Sequence, residues 1–416
     1  MGSALRYRLS LLAVAVAMVM SLGAKAQEKA DVAPNRPPLL LYVATGEANA
    51  CGDGCSEWIA AEGAFDPGAA QRVRAFVRRL PGPKLPIFFQ SIGGIQTEAL
   101  AVGRFLREQG MTAGVAKTIP QTCPAADKDE DCRSLKRSGQ KLAAEFRSID
   151  ASCNSACVYA LIGASVRDVP PGAHLGVHSS KFVRIFPDGH VNVPSLARLS
   201  VGEKARMMEA NAEVRRYVHD MGIDAGLFDA AMKVSPDQVH YLSRNEIAQF
   251  GIDTKDFEES RWSLLALPSQ PVSVFKFITQ ARGAGKKDFR ASAIQLVCAG
   301  PTRIKIGYFR GLGSDEAADP RAITISAGER NFALPRTART SKIDVIDTGA
   351  QFEVRVGYAG IEFFQTAAAG KSIDITEAPV APAEHTQVIT LSVAGLSHAI
   401  SVLGQHCGGG GNPRGG

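Results

Sequence analysis

Eight cysteines, at positions 51, 55, 123, 132, 153, 157, 298 and 407, constrain this chain more than any other residue type, because each way of pairing them excludes most arrangements of the segments between. How they read depends on the compartment. Arg6 and Arg8 precede an apolar run from Leu9 to Leu22, and the stretch ends in Ala24-Lys25-Ala26, the pattern of a secretory leader cleaved after residue 26. An uncleaved anchor is the rival reading, but the run is shorter than the roughly 20 residues that span a bilayer. A periplasmic or secreted protein with no stable membrane span after cleavage is therefore expected. In such an oxidising compartment disulfides persist, and an even count lets every thiol pair. The spacing suggests Cys51 with Cys55, Cys123 with Cys132, Cys153 with Cys157, and Cys298 with Cys407. The first three pairs close short loops, whereas the last closes a long one and restricts the unfolded chain most. Zinc is the competing account, but no C-x-x-C pair and no nearby His-x-x-x-His completes a four-ligand set, so no metal is expected.

At 416 residues, 45% hydrophobic and 21% charged, the chain is long enough for two ordinary domains with real cores. Removing the leader takes away Arg6, Arg8 and Lys25 and no acids, leaving 44 basic against 41 acidic residues, a net charge of +3. That balance gives no argument for a nucleic-acid partner. The run "DKDEDCRSLKR", Asp127 to Arg137, mixes both signs and reads as a solvated loop.

After a proline-rich lead over 27–38, short apolar runs alternate with amphipathic ones, the signature of strands joined through helices around a mostly parallel sheet. "LLLYVAT", "EWIAAEGAF", "LPIFFQS" and "TAGVAKT" read as strands; "GAAQRVRAFVRRL" and "QTEALAVGRFLREQG" read as helices. The segment 120–141 reads as an inserted surface loop pinned by Cys123 and Cys132. "VGEKARMMEANAEVRRYVHDMG" and "SRNEIAQFGID" are further helices, and this α/β part is expected to span 39–257. From 260 to 407 the texture changes to short alternating runs split by glycine turns, among them "TRIKIGYF", "KIDVIDTG" and "FEVRVGYAG", which predicts an all-β domain. Within it only "LSHAISVLGQHC" reads as helical, and 408–416 reads as a flexible tail.

The stretch "ASCNSACVYALIGASVRDVPPGAHLGVHSS" carries the candidate chemistry. A catalytic serine needs a base within reach, donors where an oxyanion will form, and a rigid exposed turn. Ser155 would open a helix, Gly93 and Gly94 could present backbone N–H groups at a strand-to-helix turn, and His178 ends an apolar strand where it could take a proton. Each feature also has a plain structural reading: an N-cap, a turn, a structural histidine. Order and spacing are what give the set weight.

That order resembles the proteolytic subunit of Clp protease and the exported ClpP-like branch of the ClpP/crotonase superfamily. "QSIGGIQTEALAVGRFLRE" is similar to the family's Gly-Gly turn and helix, the stretch around Ser155 to its nucleophile helix and histidine strand, and "HYLSRNEIAQFGID", with Glu246, Gly251 and Asp253, to its closing helix. The resemblance covers Leu39 to Asp253 and none of the β region. It implies a spiral fold of parallel strands and helices, with Ser155 as nucleophile, His178 as base, and the N–H groups of Gly94 and Ala156 as the oxyanion hole. The family's aspartate falls here on Val239, and Asp237 is the nearest carboxylate that a shifted loop could bring to the histidine. Cys153 and Cys157 bracket the serine and would stiffen its turn, or are simply buried small residues. A serine–lysine dyad through Lys204 is the mechanistic rival, though a lysine on a polar helical face is far more often a solvated charge.

The expected function is an exported serine-type hydrolase, a peptidase cleaving through a Ser155 acyl-enzyme without cofactor and without an ATP-driven unfoldase, since no G-x-x-x-x-G-K-[ST] loop is present. Its partners would be peptide or protein substrates, and the resemblance implies self-association into a homo-oligomer. The Val239 departure motivates the alternative, a non-catalytic binding or scaffold protein. A coenzyme A thioester chemistry in the crotonase manner has only Glu98 as an acid or base near the turn, and export separates it from that cofactor.

Overall fold

A computed structural model describes residues 37–408 except 53, 124–129, 187–190, 266–270, 282–287, 313–320, 336–338, 342–351 and 380–385. The expected leader and most of the proline-rich lead, the run "KIDVIDTG", and residues 409–416 of the expected tail lie outside the described residues; Gly408 ends a helix instead of opening the tail. The chain divides into two units, one of which includes Phe182–Leu199 and the other Arg36–Lys181 with Ser200 onward. In the smaller unit, two short antiparallel strands, Arg184–Ile185 and Val191–Asn192, precede a single 3-10 turn, Leu196–Arg198.

The larger unit begins as a mixed α/β structure. Its elements in chain order are β1 (Leu40–Thr45), β2 (Glu57–Glu62), α1 (Ala69–Arg79), β3 (Ile87–Gln90), α2 (Gln96–Glu108), β4 (Thr112–Val115), β5 (Lys117–Pro120), α3 (Glu130–Arg137), β6 (Leu142–Arg147), β7 (Ser152–Asn154), α4 (Ala156–Ile162), β8 (Val166–Asp168) and β9 (His174–Val177). After the smaller unit come α5 (Val201–Asp220), α6 (Gly226–Met232), β10 (His240–Tyr241) and α7 (Arg244–Gln249). One sheet runs β5-β6-β1-β2-β3-β4-β8, and a second runs β10-β9-β7. The pairs β1/β6, β2/β3, β3/β4, β4/β8 and β7/β9 are parallel, as the alternation of strands and helices predicts; β1/β2, β5/β6 and β9/β10 are antiparallel. The strand expected over "TAGVAKT" is two strands, because the chain turns to a new partner at Ala116.

Apolar stripes explain how the helices dock. In α2 the buried side is Ala99, Leu100, Val102, Gly103, Phe105 and Leu106, a broad face of 3.6-residue period. It meets α4, all of whose residues are buried. The two helices touch through Gly103 and Gly163, where a methyl group added to Gly163 would lie 2.3 Å from the Gly103 Cα. Any larger residue there would push the helix that follows Ser155 off its support. Arg167 fixes the far end of α4, donating to the Ile162 and Ala164 carbonyls at 3.3 Å and to Ile252 at 2.7 Å.

The segment 120–141, expected as an inserted surface loop whose charged run 127–137 is solvated, contains α3. Its solvated face is real, but Cys132 and Lys136 are buried, the first by its disulfide and the second by an ion pair to Glu62 at 2.5 Å. Two tethers on one side of eight residues give a mixed-charge run an inward face, and so a helix.

Beyond the closing helix the structure is β-rich: β11 (Phe257–Glu259), β12 (Ser263–Leu265), β13 (Ser273–Ala281), β14 (Phe289–Cys298), β15 (Arg303–Gly311), β16 (Ala322–Ala327), β17 (Arg330–Leu334), β18 (Arg339–Ser341), β19 (Phe352–Gly360), α8 (Ile361–Ala368), β20 (Ser372–Ala378), β21 (Gln387–Ser392) and α9 (Leu396–Gly408). All the strand pairs here are antiparallel among the described residues. The sequence predicts only the last helix. "IEFFQTAA" forms α8 as well, burying Phe363, Phe364 and Ala367 against the strands, so the region is not purely β. All four disulfides expected from spacing are closed, and the described residues contain no free cysteine. Among the described residues no helix is long and apolar enough to cross a membrane.

Candidate active site

Strand β7 lies beside β9 in parallel register, with Cys153 opposite Leu175 and Asn154 opposite Gly176, and the Ser155 N–H donates to the Gly176 carbonyl at 2.6 Å. Ser155 and His178 therefore each stand one residue past the end of adjacent strands, which lie about 5 Å apart. The Cys153–Cys157 disulfide spans the serine and ties the end of β7 to the first turn of α4.

Ser155 itself is held in unusual backbone geometry, φ 56° and ψ −123°, a conformation that an L residue enters at a cost of about 1–3 kcal/mol. Its hydroxyl makes no capping bond to α4 and has no other hydrogen-bond partner among the described residues. The N-cap reading of this serine fails on that observation, because capping would require Oγ to accept from the second or third helical N–H.

The Gly-Gly turn packs directly against it. A methyl group on Gly93 would sit 2.7 Å from both Ser155 Cβ and the Asn154 carbonyl oxygen, and 3.2 Å from the Ala156 nitrogen. With φ of 97° at Gly93 and 138° at Gly94, both residues also occupy backbone regions that favour glycine. The turn is anchored on both sides: Asn154 N–H donates to the Ser91 carbonyl at 2.9 Å, Gly93 N–H to Ser91 Oγ at 3.2 Å, and Ile95 N–H to the Phe65 carbonyl at 2.7 Å. Between these bonds the N–H groups of Gly94 and Ala156 have no protein acceptor among the described residues. Gly94 is exposed; Ala156 is buried, and an unpaired buried donor is rare in folded proteins.

The histidine departs from expectation. No hydrogen bond joins the Ser155 hydroxyl to the His178 ring, and His178 Nδ1 lies 2.8 Å from the Ser179 carbonyl oxygen. A carbonyl can only accept, so this contact puts the proton on Nδ1 and leaves the Nε2 lone pair open. Ser179 is clamped in turn, its N–H and hydroxyl both donating to the Val234 carbonyl, at 3.1 and 2.7 Å.

Asp237 is not brought to the histidine. Its carboxylate pairs with Lys181 Nζ at 2.5 Å on the surface, where it is 75% exposed. Strand β10 explains why: His240 pairs with Val177 and Tyr241 with Gly176, so continuing the register sets Val239 opposite His178. The position facing the histidine carries an aliphatic side chain, and Asp237 lies two residues beyond it. Of the rivals, Lys204 is exposed on α5, and Glu98 accepts from the Gly68 and Ala70 N–H groups at 3.1 and 2.8 Å, spent on the start of α1.

Sequence reasoning missed the Ser179 carbonyl, which carries no residue-type signal. It also missed Gln90, whose side chain accepts from Ser152 N–H at 2.8 Å and so joins β3 to β7 beneath the turn. A three-carboxylate cluster escaped it too: oxygens of Asp168, Asp253 and Glu258 lie within 4.8 Å of one another. The Lys255 ammonium sits among them, bonded to Asp168 and, at 2.7 Å, to Glu258, so the cluster already holds its own cation.

No family model matches the chain, and no curated protein matches it. Partial likeness to solved structures exists. Invasion associated protein b from Bartonella henselae aligns at 11% identity and a TM-score of 0.24, over 35% of this chain and 89% of that one. The 1510-N membrane-bound stomatin-specific protease, in a serine-to-alanine mutant, aligns at 10% identity and a TM-score of 0.28, over 47% of this chain and 75% of that one. A lysine-to-alanine mutant of that protease in complex with a substrate peptide gives 11% identity and a TM-score of 0.25, over 44% and 65%. Overlaps this slight leave the chemistry of the chain to its own residues.

Proposed function

We propose that this chain is an exported serine hydrolase of ClpP-like spiral architecture, a periplasmic or secreted peptidase that works without ATP on peptides or loosely folded segments and assembles as a homo-oligomer. One observation carries the reading: a serine in strained backbone, with a hydroxyl that caps nothing, is flanked by two N–H groups that have no acceptor among the described residues. Folding leaves such donors unpaired at a cost of about 1–3 kcal/mol when buried, which is offset if a ligand oxygen meets them.

In this reading the substrate carbonyl oxygen lies between the Gly94 and Ala156 N–H groups. Ser155 Oγ attacks the carbonyl carbon while His178 Nε2 takes its proton, and negative charge moves onto the oxygen facing the two donors. Collapse breaks the bond to the leaving amine, which receives the proton from His178, and an acyl ester remains on Ser155. Water, deprotonated by the same nitrogen, then releases the acid. The Ser179 carbonyl holds the imidazole tautomer as an aspartate would, but a neutral acceptor stabilises the imidazolium less than a carboxylate does. A slow enzyme is the expected consequence.

The test is labelling with a fluorophosphonate probe followed by peptide mapping. Modification of Ser155, absent in Ser155→Ala, supports the reading; labelling unchanged by that substitution overturns it. The aliphatic Val239 facing His178 favours a second reading, a binding or scaffold protein that keeps the fold without catalysis. Ser155-dependent hydrolysis of activated esters or casein by purified protein removes it.

A further inference from the structure

A cavity of about 470 Å³ is lined in part by Gln90, Ser91 and Ile92, just before the Gly-Gly turn, and its described lining joins an apolar wall to an excess of positive charge. Pro37, Pro38, Leu40, Ile92, Ile119 and Pro120 supply the apolar surface. Lys117, Arg133, Lys136 and Arg137 supply four cations, against Glu62 as the one carboxylate among the described lining residues. Glu62 is committed to Lys136 and to the Tyr42 hydroxyl. Asp150, which pairs with Lys117, and Glu130, which pairs with Arg133 and Arg137, are themselves exposed, 72% and 67%, and neither lines the cavity. Exposed ion pairs of this kind are weak and solvent-screened, so an anion entering from the apolar side can take up the same cations.

The cavity is continuous with the serine turn through the backbone. Gln90, Ser91 and Ile92 form part of its wall, and the next two residues are Gly93 and Gly94. Ser91 is hydrogen-bonded to both neighbours of the catalytic turn, accepting from Asn154 N–H through its carbonyl and from Gly93 N–H through its hydroxyl. Ile92 is half exposed and lines the cavity two residues before Gly94. Two residues of extended chain span about 7 Å, which brings the cavity within reach of a side chain next to a carbonyl held at Gly94.

We infer that this cavity is a specificity pocket for an acidic side chain beside the scissile carbonyl, so that the substrates are acidic peptides, with glutamate preferred over glutamine. The inference rests on the hydrolase reading for the word substrate, and on the lining alone for the choice of anion. The methylenes of glutamate match the apolar wall and its carboxylate the guanidinium groups on α3, a geometry that favours charge-assisted, two-point bonds. A free chain-terminal carboxylate offers the same chemistry, and the experiment separates the two.

The probes are three peptides titrated calorimetrically into full-length Ser155→Ala protein, which binds without turnover: acetyl-Ala-Glu-Ala-amide, acetyl-Ala-Gln-Ala-amide, and acetyl-Ala-Gln-Ala with a free terminal carboxylate. The expected result is about tenfold tighter binding of the glutamyl peptide than of its glutamine amide, lost or reversed when Arg133→Glu and Arg137→Glu are added. Neither arginine is among the buried residues of α3, which are Cys132 and Lys136, so the double variant should fold; Lys117→Gln serves as a second, milder variant expected to reduce the ratio. Equal affinity of the two amides overturns the inference, and a gain confined to the free carboxylate overturns its glutamyl form. Probe labelling of Ser155 in the wild type stands apart from these outcomes. Labelling without discrimination sinks the pocket and spares the hydrolase, whereas discrimination without labelling sinks the hydrolase and with it the substrate role assigned here.

Discussion

The turn at Ser155 and the carboxylate cluster at Asp168, Asp253 and Glu258 are both polar, both crowded and both partly buried, yet their polar groups are treated in opposite ways. At the turn, two N–H donors and a hydroxyl are left with no partner among the described residues, and the backbone is strained to hold them there. In the cluster acids and bases are packed on one another: Lys255 bonds Asp168 and Glu258, Arg244 lies 3.5 Å from Asp253 and 3.8 Å from Glu258, and the Val169 N–H donates to Asp253 at 3.0 Å, although Glu258 Oε2 and the Arg244 Nε and Nη1 make no hydrogen bond among the described residues. The cluster also ties the end of the α/β region to the first β-rich strands, since Glu258 is in β11 and Arg244 stacks over Phe289 of β14 at 4.8 Å. Unpaired groups in strained backbone mark a place built to receive something, whereas acids and bases packed on one another across two regions mark a place built to hold together.

If that contrast is correct, substitution at the turn should remove activity far more than stability, and substitution in the cluster should do the reverse. The largest effect is expected from Gly93→Ala. Its methyl group meets Ser155 Cβ and the Asn154 carbonyl at 2.7 Å, so the turn must shift and take the Gly94 N–H with it. Loss of one oxyanion donor typically costs about 10²–10³ in kcat. Ester hydrolysis should fall by that amount while the far-ultraviolet circular dichroism stays native. A variant that retains wild-type turnover would remove Gly94 from the site.

A gain of function sharpens the same comparison. The register of β10 on β9 sets residue 239 opposite His178, so Val239→Asp would supply the charge that the Ser179 carbonyl cannot. Turnover should rise about tenfold, a modest part of what a buried aspartate contributes in an optimised triad. The rise should vanish when His178→Ala is combined with it. No rise in steady-state rate, with the fold intact, would mean that the imidazole does not act as the base.

What could be read in the chain beforehand follows the same division between local and distant. The disulfide partners were legible because three of the four pairs are close in sequence, leaving Cys298 and Cys407 to each other. The serine helix and the histidine strand were legible because α4 and β9 follow one another closely, Ala156–Ile162 and His174–Val177, and each carries its own apolar pattern. Helix α3 was hidden because a mixed-charge run shows no apolar stripe, and its inward side depends on Glu62, far away in sequence. Helix α8 was hidden because "IEFFQTAA" directly continues a β-strand with no turn residue beyond Gly360 to announce the change. The displacement of Asp237 and the cluster of Asp168, Asp253 and Glu258 depend on register and docking between distant segments, which no local pattern encodes.

The smallest effect, and the one confined to the cluster, is the pH dependence of stability set by Glu258. Burial, then the neighbouring Asp253 and Asp168 carboxylates, push its carboxyl up to about 9, against the pull of Lys255 and Arg244. The folded protein thus keeps a proton on Glu258 over a range in which the unfolded chain has lost it. By linkage, this stabilising contribution is complete at pH below about 4.5 and is lost as pH rises towards 9. The cluster's other resolved shifts act outside that window. Asp253 is buried, yet Arg244 and Lys255 hold it below the usual carboxylate range, so its contribution disappears only in acid. Partial desolvation lowers the Lys255 ammonium, whose side chain is 46% exposed, but Asp168 and Glu258 outweigh it and raise it above the ordinary lysine value, so it titrates only in strong base. Glu258→Gln keeps the shape and removes the titration. Relative to wild type, its melting temperature should rise by a few degrees between pH 5 and pH 9, with ester hydrolysis within about twofold of wild type. A difference that is flat across that range, or that favours wild type more at high pH, would mean that Glu258 is ionised beside Lys255 and that the cluster holds the two regions by ion pairing alone.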